Sequence, residues 1–295
     1  MRYGALEAGG TKMVCVIGDE KGTILEKTLI PTRTPDETLP DIISFFKEKD
    51  IEALGIACFG PVDLDPSSET YGYITTTPKQ GWENCDIIGI LKKSLNVPVG
   101  FDTDVNGSLL GEVIFGQSKG LEDVVYITIG TGIGGGVLSG GKPVHGMLHP
   151  ELGHMLIRPR TDDPYEGKCP YHRNCLEGMA SGPAITDRYG IRGEELDDRQ
   201  EVWDLEAYYL GQAIVNIILT LSPRRIILGG GVMEHPQLFD LIHNYVQEML
   251  GGYIKAKELE DLTRYIVPAS LKGEQGIKGC LYLADMAYRK EVPVR

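Results

Sequence analysis

The sequence predicts an α/β protein of two related lobes with a cleft between them, and three observations carry that expectation. Glycine-threonine loops stand at the head of both halves, Glu7-Ala8-Gly9-Gly10-Thr11-Lys12 and Gly130-Thr131-Gly132-Ile133-Gly134-Gly135-Gly136, each between two short β-branched, apolar runs. Both halves then pass into short apolar runs alternating with amphipathic stretches, the pattern of parallel strands joined by crossover helices. The length of 295 residues exceeds the usual single-domain mode and can bury a sizeable core.

In the first half, residues 3–8, 12–17 and 23–30 read as strands, with the turn Asp19-Glu20-Lys21-Gly22 between the last two. Thr34-Pro35-Asp36 supplies start signals for a helix over about 36–48, and Ala53 to Cys58 reads as a buried strand. Gly60 to Trp82 is irregular and rich in Thr, Pro and Gly, and loops of that length inside a compact domain are usually functional. A helix at about 86–95, a strand over Val97–Gly100 and a helix from Val105 to Phe115 complete this half. The second half repeats the scheme with Val124–Ile129, a loop, Gly135–Leu138 and a turn. After a polar segment come a long amphipathic helix at 200–221, the strand Arg225–Leu228, Gly229-Gly230-Gly231, and helices near 236–250 and 274–290. The recurrence reads as an old duplication. The expected first lobe is 1–117, completed by the helix 276–295, and the second is 118–275. The charge-rich stretch Arg192 to Gln200 reads as a solvated connection.

With 42 acidic against 29 basic residues, the net charge of −13 disfavours nucleic acid and anionic membranes as partners. No apolar stretch approaches the roughly 20 residues of a membrane span, and no signal-peptide pattern opens the chain, so a cytoplasmic location is expected.

Glycines lacking a Cβ let backbone N–H groups approach an anion, and a threonine hydroxyl adds a donor. Each loop is therefore either a phosphate cradle or a plain tight hairpin. Gly130, Gly132 and Gly135 match a dinucleotide spacing, but Val137-Leu138 and the turn Ser139-Gly140-Gly141-Lys142 follow where that motif needs a helix. No Walker-type Gly-x-x-x-x-Gly-Lys-Ser/Thr run is present either.

Cys169-Pro170-Tyr171-His172-Arg173-Asn174-Cys175, with His154 upstream, concentrates ligands suited to a closed tetrahedral Zn²⁺ site of His154, Cys169, His172 and Cys175. The alternatives are a reduced cysteine pair or a disulfide, the latter disfavoured in a cytoplasmic chain. Cys15, Cys58, Cys85 and Cys280 read as packing residues. Asp104 follows a short strand and opens a helix, so it is either a carboxylate that takes a hydroxyl proton or a helix N-cap. Glu151 and Glu177 are carboxylates able to bond sugar hydroxyls, or exposed helix-start charges.

The motifs Glu7 to Lys12, Phe59-Gly60-Pro61-Val62-Asp63, Thr77-Pro78-Lys79-Gln80-Gly81-Trp82, Thr103-Asp104-Val105-Asn106, Gly130 to Gly136, Glu151 to His154, Cys169 to Cys175 and Gly229-Gly230-Gly231-Val232 occur in this order. Together they resemble the ROK family of sugar kinases over essentially the whole chain, and within it the bacterial zinc-containing, ATP-dependent fructokinases. The resemblance implies a two-lobed actin-like ATPase fold of ribonuclease H-like lobes, with ATP and Mg²⁺ between the lobes and a hexose, D-fructose, as acceptor. It makes Asp104 the general base. Thr103, Glu151, His154, Glu177, Thr77, Pro78 and Gly81 fall to the sugar, His154 also ligating Zn²⁺ through its other ring nitrogen. Gly9, Gly10, Thr11, Lys12, Thr131, Gly132 and Gly134 match the phosphate loops, and Gly230 and Gly231 the nucleotide side. A homodimer is expected on the same ground.

Three departures from the wider family bear on substrate. His172 gives the zinc loop a Cys-x-x-His-x-x-Cys spacing like that of the fructokinase subgroup. Thr103 stands where glucose-type members carry Asn, which removes an amide that could bond a pyranose hydroxyl. Glu7 stands where many members have Asp, a longer side chain toward Mg²⁺ or its water shell. The family also holds sugar-responsive repressors, but only six residues precede Glu7 and the charge is negative, so an enzyme is expected. A sensor without catalysis would not need Asp104 and both loops. Mannose, glucose and N-acetylated hexosamines are the other acceptors the family suggests.

Overall fold

The strand that begins the chain is buried on both faces, and its neighbours are set by that fact. The computed structural model describes residues 1–77, 79–235 and 237–291. Two units emerge: Met1–Gly120 with His145–His149 and the segment from Ser270 onward, and Leu121–Val144 with Pro150–Ala269. The expected lobe boundaries differ from these at 118–120, 145–149 and 270–275, and hydrogen bonds explain each return. The ring of His145 sits on Asp102 at 3.1 Å, His149 Nε2 accepts the Val62 N–H at 3.3 Å, and the Glu112 carboxylate accepts the Ser270 N–H at 2.6 Å.

The first unit contains strands β1 (Tyr3–Ala8), β2 (Lys12–Gly18), β3 (Ile24–Pro31) and β4 (Ala53–Cys58), the short pair β5 (Tyr73–Ile74) and β6 (Cys85–Asp86), and β7 (Val99–Thr103). Its sheet runs β3-β2-β1-β4-β7, antiparallel through the hairpins and parallel from β1 to β4 to β7. Alternation along the strands sorts the two faces. Leu6, Ala8, Leu54 and Ile56 pack in one core with Ile42, Phe46 and Leu91, while Tyr3, Ala5, Ala53 and Ala57 pack in another with Ile277, Leu281 and Ala284.

Helices α1 (Pro35–Lys47) and α2 (Ile87–Leu95) supply the first of those cores. The expected start signal of α1 is a capping box, in which the Thr34 N–H and hydroxyl both donate to Glu37. The expected strand at 97–100 lies further on, at Val99–Thr103, and α3 (Asp104–Ile114) follows it without a loop. Pairing of Leu54 to Cys58 with Val99 to Thr103 extends the strand to the acidic end.

The second unit contains β8 (Val124–Ile129), β9 (Ile133–Ser139), β10 (Lys142–Pro143), β11 (Arg225–Gly229) and β12 (Ile266–Pro268) in the order β10-β9-β8-β11-β12. The directions repeat those of the first sheet: two antiparallel pairings, then two parallel ones. Here α4 (Leu176–Ala180), α5 (Gly182–Tyr189), α6 (Gln200–Leu221), α7 (Leu238–Leu250) and α8 (Leu262–Tyr265) complete the unit. α6 is apolar on most of its circumference, including Leu205, Ala213, Ile214 and Ile217, because it is the central core helix.

Helix α9 (Gln275–Glu291) belongs to the first unit and packs against α3 at backbone contact. A Cβ on Gly279 would lie 1.8 Å from the Gly107 carbonyl oxygen, so glycine is required there for the approach. No helix among the described residues is long and apolar enough to cross a membrane.

Candidate active site

At the end of β7 the chain divides two roles between neighbours. Thr103 is the N-cap of α3, its hydroxyl oxygen accepting the Asn106 N–H at 3.1 Å. Asp104 occupies the first helical position, half-buried, with Oδ1 accepting the Val105 N–H at 2.9 Å. The N-cap alternative for Asp104 therefore falls to Thr103. Thr103 is 2 % exposed, and its hydroxyl oxygen is engaged in the cap.

The first glycine loop turns β1 into β2. Gly9 N–H donates to the Lys12 carbonyl at 3.1 Å, and the Thr32 hydroxyl donates to the Gly9 carbonyl at 2.7 Å. Gly10, Thr11 and Lys12 are exposed at its tip, and a Cβ on Gly10 would meet nothing within 4 Å. Behind the loop, Glu7 is largely buried with its carboxylate against the backbone of Gly276 in the first turn of α9. Burial pushes its carboxyl above the usual range, and Lys12 and Lys27 oppose that shift.

The second loop is one residue shorter, since Ile129 pairs directly with Ile133 whereas Ala8 pairs with Met13. Gly130 N–H donates to the Gly132 carbonyl and Gly182 N–H to the Gly130 carbonyl, both at 2.9 Å. Gly134 lies within β9 opposite Thr128, two residues past the turn. Glu177 lies under this loop, its Oε2 accepting the Ile133 N–H at 2.9 Å, and a Cβ on Gly132 would stand 2.7 Å from that oxygen. One oxygen of the Glu177 carboxylate thus holds the loop backbone, because α4 starts directly after Cys175 and turns position 177 toward β9.

Beyond β11, Gly230 has φ 92°, and a Cβ there would lie 2.2 Å from the Ile129 carbonyl oxygen. Only glycine passes this point without strain. Gly130, Thr131, Gly182, Gly231, Trp203 and His235 line a cavity of about 930 Å³ within the second unit. The His235 ring stacks on Trp203 at 4.0 Å between centroids.

His154, Cys169, His172 and Cys175 come together with their ligand atoms all within 4.8 Å of one another. Both thiols lie near the Nδ1 of His154, Cys169 Sγ at 3.7 Å and Cys175 Sγ at 3.6 Å, and Cys169 Sγ is 3.8 Å from His172 Nδ1. Bonds of about 2.3 Å to sulfur and about 2.0 Å to nitrogen give tetrahedral S···N edges of about 3.5 Å, so the donor set fits Zn²⁺. All six cysteines are free thiols, which removes the disulfide alternative. Burial pushes the Cys175 thiol up to about 11, with Cys169 adding to the shift. A coordinated dication reverses that and deprotonates the thiol.

Glu151 is exposed and leads into a short turn of 3₁₀ helix, Leu152–His154, where its carbonyl accepts the His154 N–H at 3.0 Å. Thr77 Oγ1 accepts the Lys79 N–H at 3.3 Å, and Gly81 sits at φ 80° in an exposed turn. Pro78 lies outside the described residues. Sequence reasoning missed Asp102, whose carboxylate is buried beside Asp104 and bonded to His145, and the Trp203–His235 pair of the cavity. Asp102 stood in plain view two positions before Asp104; its partner 43 residues away did not.

The chain matches the ROK family over residues 3–287. A protein of Bacillus subtilis (strain 168) is 49 % identical over 289 residues, covering 98 % of this chain and 97 % of that one. The fructokinase of Lactococcus lactis subsp. cremoris is 45 % identical over 291 residues, with 98 % and 99 % covered. The ROK hexokinase of Thermus thermophilus superposes with a TM-score of 0.82 at 24 % identity, covering 98 % of this chain and all of that one, which shows the shared actin-like fold. With the family match spanning nearly every described residue, and the glycine loops and cysteine-histidine cluster in place, the chain belongs to the ROK family.

Proposed function

We propose that the chain is an ATP-dependent hexose kinase that transfers the γ-phosphoryl group to D-fructose, giving fructose 6-phosphate. The observation that carries the reading is the end of β7, where Thr103 is the N-cap of α3 and the Asp104 carboxylate stands half-buried at the first helical position, directly at the strand end. The Lactococcus lactis fructokinase, similar over almost the whole length of both chains, supports the choice of acceptor.

In this reading Asp104 accepts the proton of the sugar hydroxyl as that oxygen attacks the γ-phosphorus. Phosphoryl transfer asks mainly for positioning and for donors around the developing charge. Gly9 to Lys12 and Gly130 to Gly132 supply backbone N–H groups, the Thr131 hydroxyl and the Lys12 ammonium for the phosphates. Glu177 holds the second loop through Ile133. The cavity lined by Gly182, Trp203, Gly231 and His235 takes the nucleoside, its volume falling in the range of small-ligand pockets. Mg²⁺, when bound with ATP, neutralises phosphate charge, with Glu7 the nearest carboxylate behind the first loop. Zn²⁺, when bound by His154, Cys169, His172 and Cys175, has no open position and holds the segment 151–177 in shape. His154, ligating through Nδ1, keeps Nε2 for the sugar, and Glu151 adds a carboxylate. The resemblance also carries a homodimer in the cytoplasm, and light scattering on the purified protein reads its mass.

A coupled ADP-release assay across fructose, mannose, glucose and N-acetylmannosamine tests the reading. Fructose is expected to give the highest kcat/KM. A higher value for glucose or N-acetylmannosamine overturns the acceptor, and absence of ADP release with every hexose overturns the kinase in favour of a sensor.

A further inference from the structure

We propose that His145 contacts the acceptor sugar, presenting ring nitrogen Nδ1 to a sugar oxygen while the buried Asp102 fixes the ring's orientation. This deepens the kinase reading above and rests on it. The route of the chain is the first observation. After Val144 the chain leaves the second unit, packs His145–His149 with the first, and returns at Pro150. Two histidines fasten this excursion: His149 accepts the Val62 N–H, and His145 Nε2 lies 3.1 and 3.2 Å from the two oxygens of Asp102.

Asp102 is built to receive it. The residue is 3 % exposed and accepts the Thr103 N–H at 2.8 Å and the Asn106 Nδ2–H at 2.7 Å besides the imidazole. Donors thus converge on one buried carboxylate from β7, α3 and the 145–149 excursion. A carboxylate can only accept, so Nε2 carries the proton and Nδ1 is turned away from Asp102. Nδ1 has no hydrogen-bond partner among the described residues, and the side chain is 37 % exposed, so a ligand can reach it. The same carboxylate lies two positions before Asp104, which puts the imidazole at the strand end where the acceptor hydroxyl must sit.

A histidine that merely fastened a loop would need only Nε2. Besides Asp102 on β7, Tyr71 of the 60–82 loop faces this pair, its phenol raised by burial and by Asp102; Asn106 on α3 is neutral. The hydrogen bond to Asp102 raises His145 above its ordinary range. In the protonated ring, which the bond to Asp102 favours, Nδ1–H is a donor, and a sugar oxygen is the acceptor it suits.

The test uses the full-length enzyme and the variants His145→Gln and His145→Ala. Fructose and ATP are each varied with the other saturating, and kcat/KM for fructose is followed against pH. The glutamine keeps a donor for Asp102 but cannot carry charge, so it remains informative if the alanine variant fails to fold. A hydrogen bond to a charged group is worth enough for a rise in fructose KM of about ten-fold or more. That rise is expected in both variants with ATP KM within two-fold. The wild type is expected to lose kcat/KM for fructose as pH rises through the His145 pKa, and His145→Gln to lack that fall. A fructose KM within two-fold of wild type in His145→Gln, or sugar and ATP KM rising together, overturns the proposal. The hexose panel on the wild type reads the kinase assignment separately. Should another hexose win, that sugar replaces fructose in the comparison; should none react, calorimetric titration of fructose into wild type and variants decides the contact alone.

Discussion

The two sheets share one strand order and one set of directions, yet they end in different chemistry. In the first, the outer parallel strand β7 runs straight into α3, and the junction carries Asp102, Thr103 and Asp104. In the second, the equivalent strand β12 ends at Pro268 and a loop intervenes before α9, its Ser270 N–H and hydroxyl held by Glu112 of α3. The fourth positions differ too. β4 leads into Phe59-Gly60-Pro61, whereas β11 leads into Gly229-Gly230-Gly231, where a side chain would strike the Ile129 carbonyl. The first sheet thus ends in carboxylates, and the second in glycines that leave the backbone uncovered by side chains. A duplicated backbone supplies two platforms, and the residues at the strand ends decide what each does.

The largest expected effect breaks the carboxylate end. Asp104→Asn retains size and removes basicity, and general-base loss lowers kcat by about 10²–10⁴-fold, read in the ADP-release assay with fructose binding followed by calorimetry. Next in size is the metal cluster. Metal analysis is expected to find one Zn²⁺ per chain, and its removal by a strong chelator without added Mg²⁺ is expected to weaken fructose binding by about 10–100-fold, as loss of ligand-orienting groups does. ATP binding should stay within a few-fold of the untreated protein; equal loss of both ligands would mean that the cluster supports the whole second unit. Breaking the glycine end comes third. Gly230→Ala forces a side chain into a left-handed conformation 2.2 Å from a carbonyl oxygen, and strain of about 1–3 kcal/mol corresponds to a rise in ATP KM of about 5–150-fold with fructose KM unchanged. The smallest effect is Thr103→Ala, which removes a cap worth about 1 kcal/mol and is expected to lower the Tm by about 2 °C.

Local signals were legible where local physics decides. Strands Ala53–Cys58 and Val124–Ile129 and the helix at 200–221 are legible at their observed bounds, because runs of buried apolar residues and an amphipathic period need no distant partner. The glycine loops and the four ligands of the cluster were legible for the same reason, each being close-spaced in the chain. What was not legible depends on contacts between distant segments. β7 reaches to Thr103 because β4 pairs with it that far, and no residue within 97–103 announces this. The return of His145–His149 to the first unit rests on a bond to a residue over forty positions earlier. The bond from the Ile133 amide to Glu177 likewise joins residues over forty positions apart and depends on α4 starting at Leu176.

The division of labour between adjacent residues at the end of β7 is the centre of this account, and one paired measurement addresses it: turnover and thermal unfolding of Asp104→Asn beside Thr103→Ala. The account predicts opposite losses. Asp104→Asn should lose turnover by at least about 10²-fold with its Tm within a degree of wild type, and Thr103→Ala should lose about 2 °C with turnover within a few-fold. An Asp104→Asn enzyme that turns over fructose near the wild-type rate, or that loses stability as a cap mutant would, contradicts it.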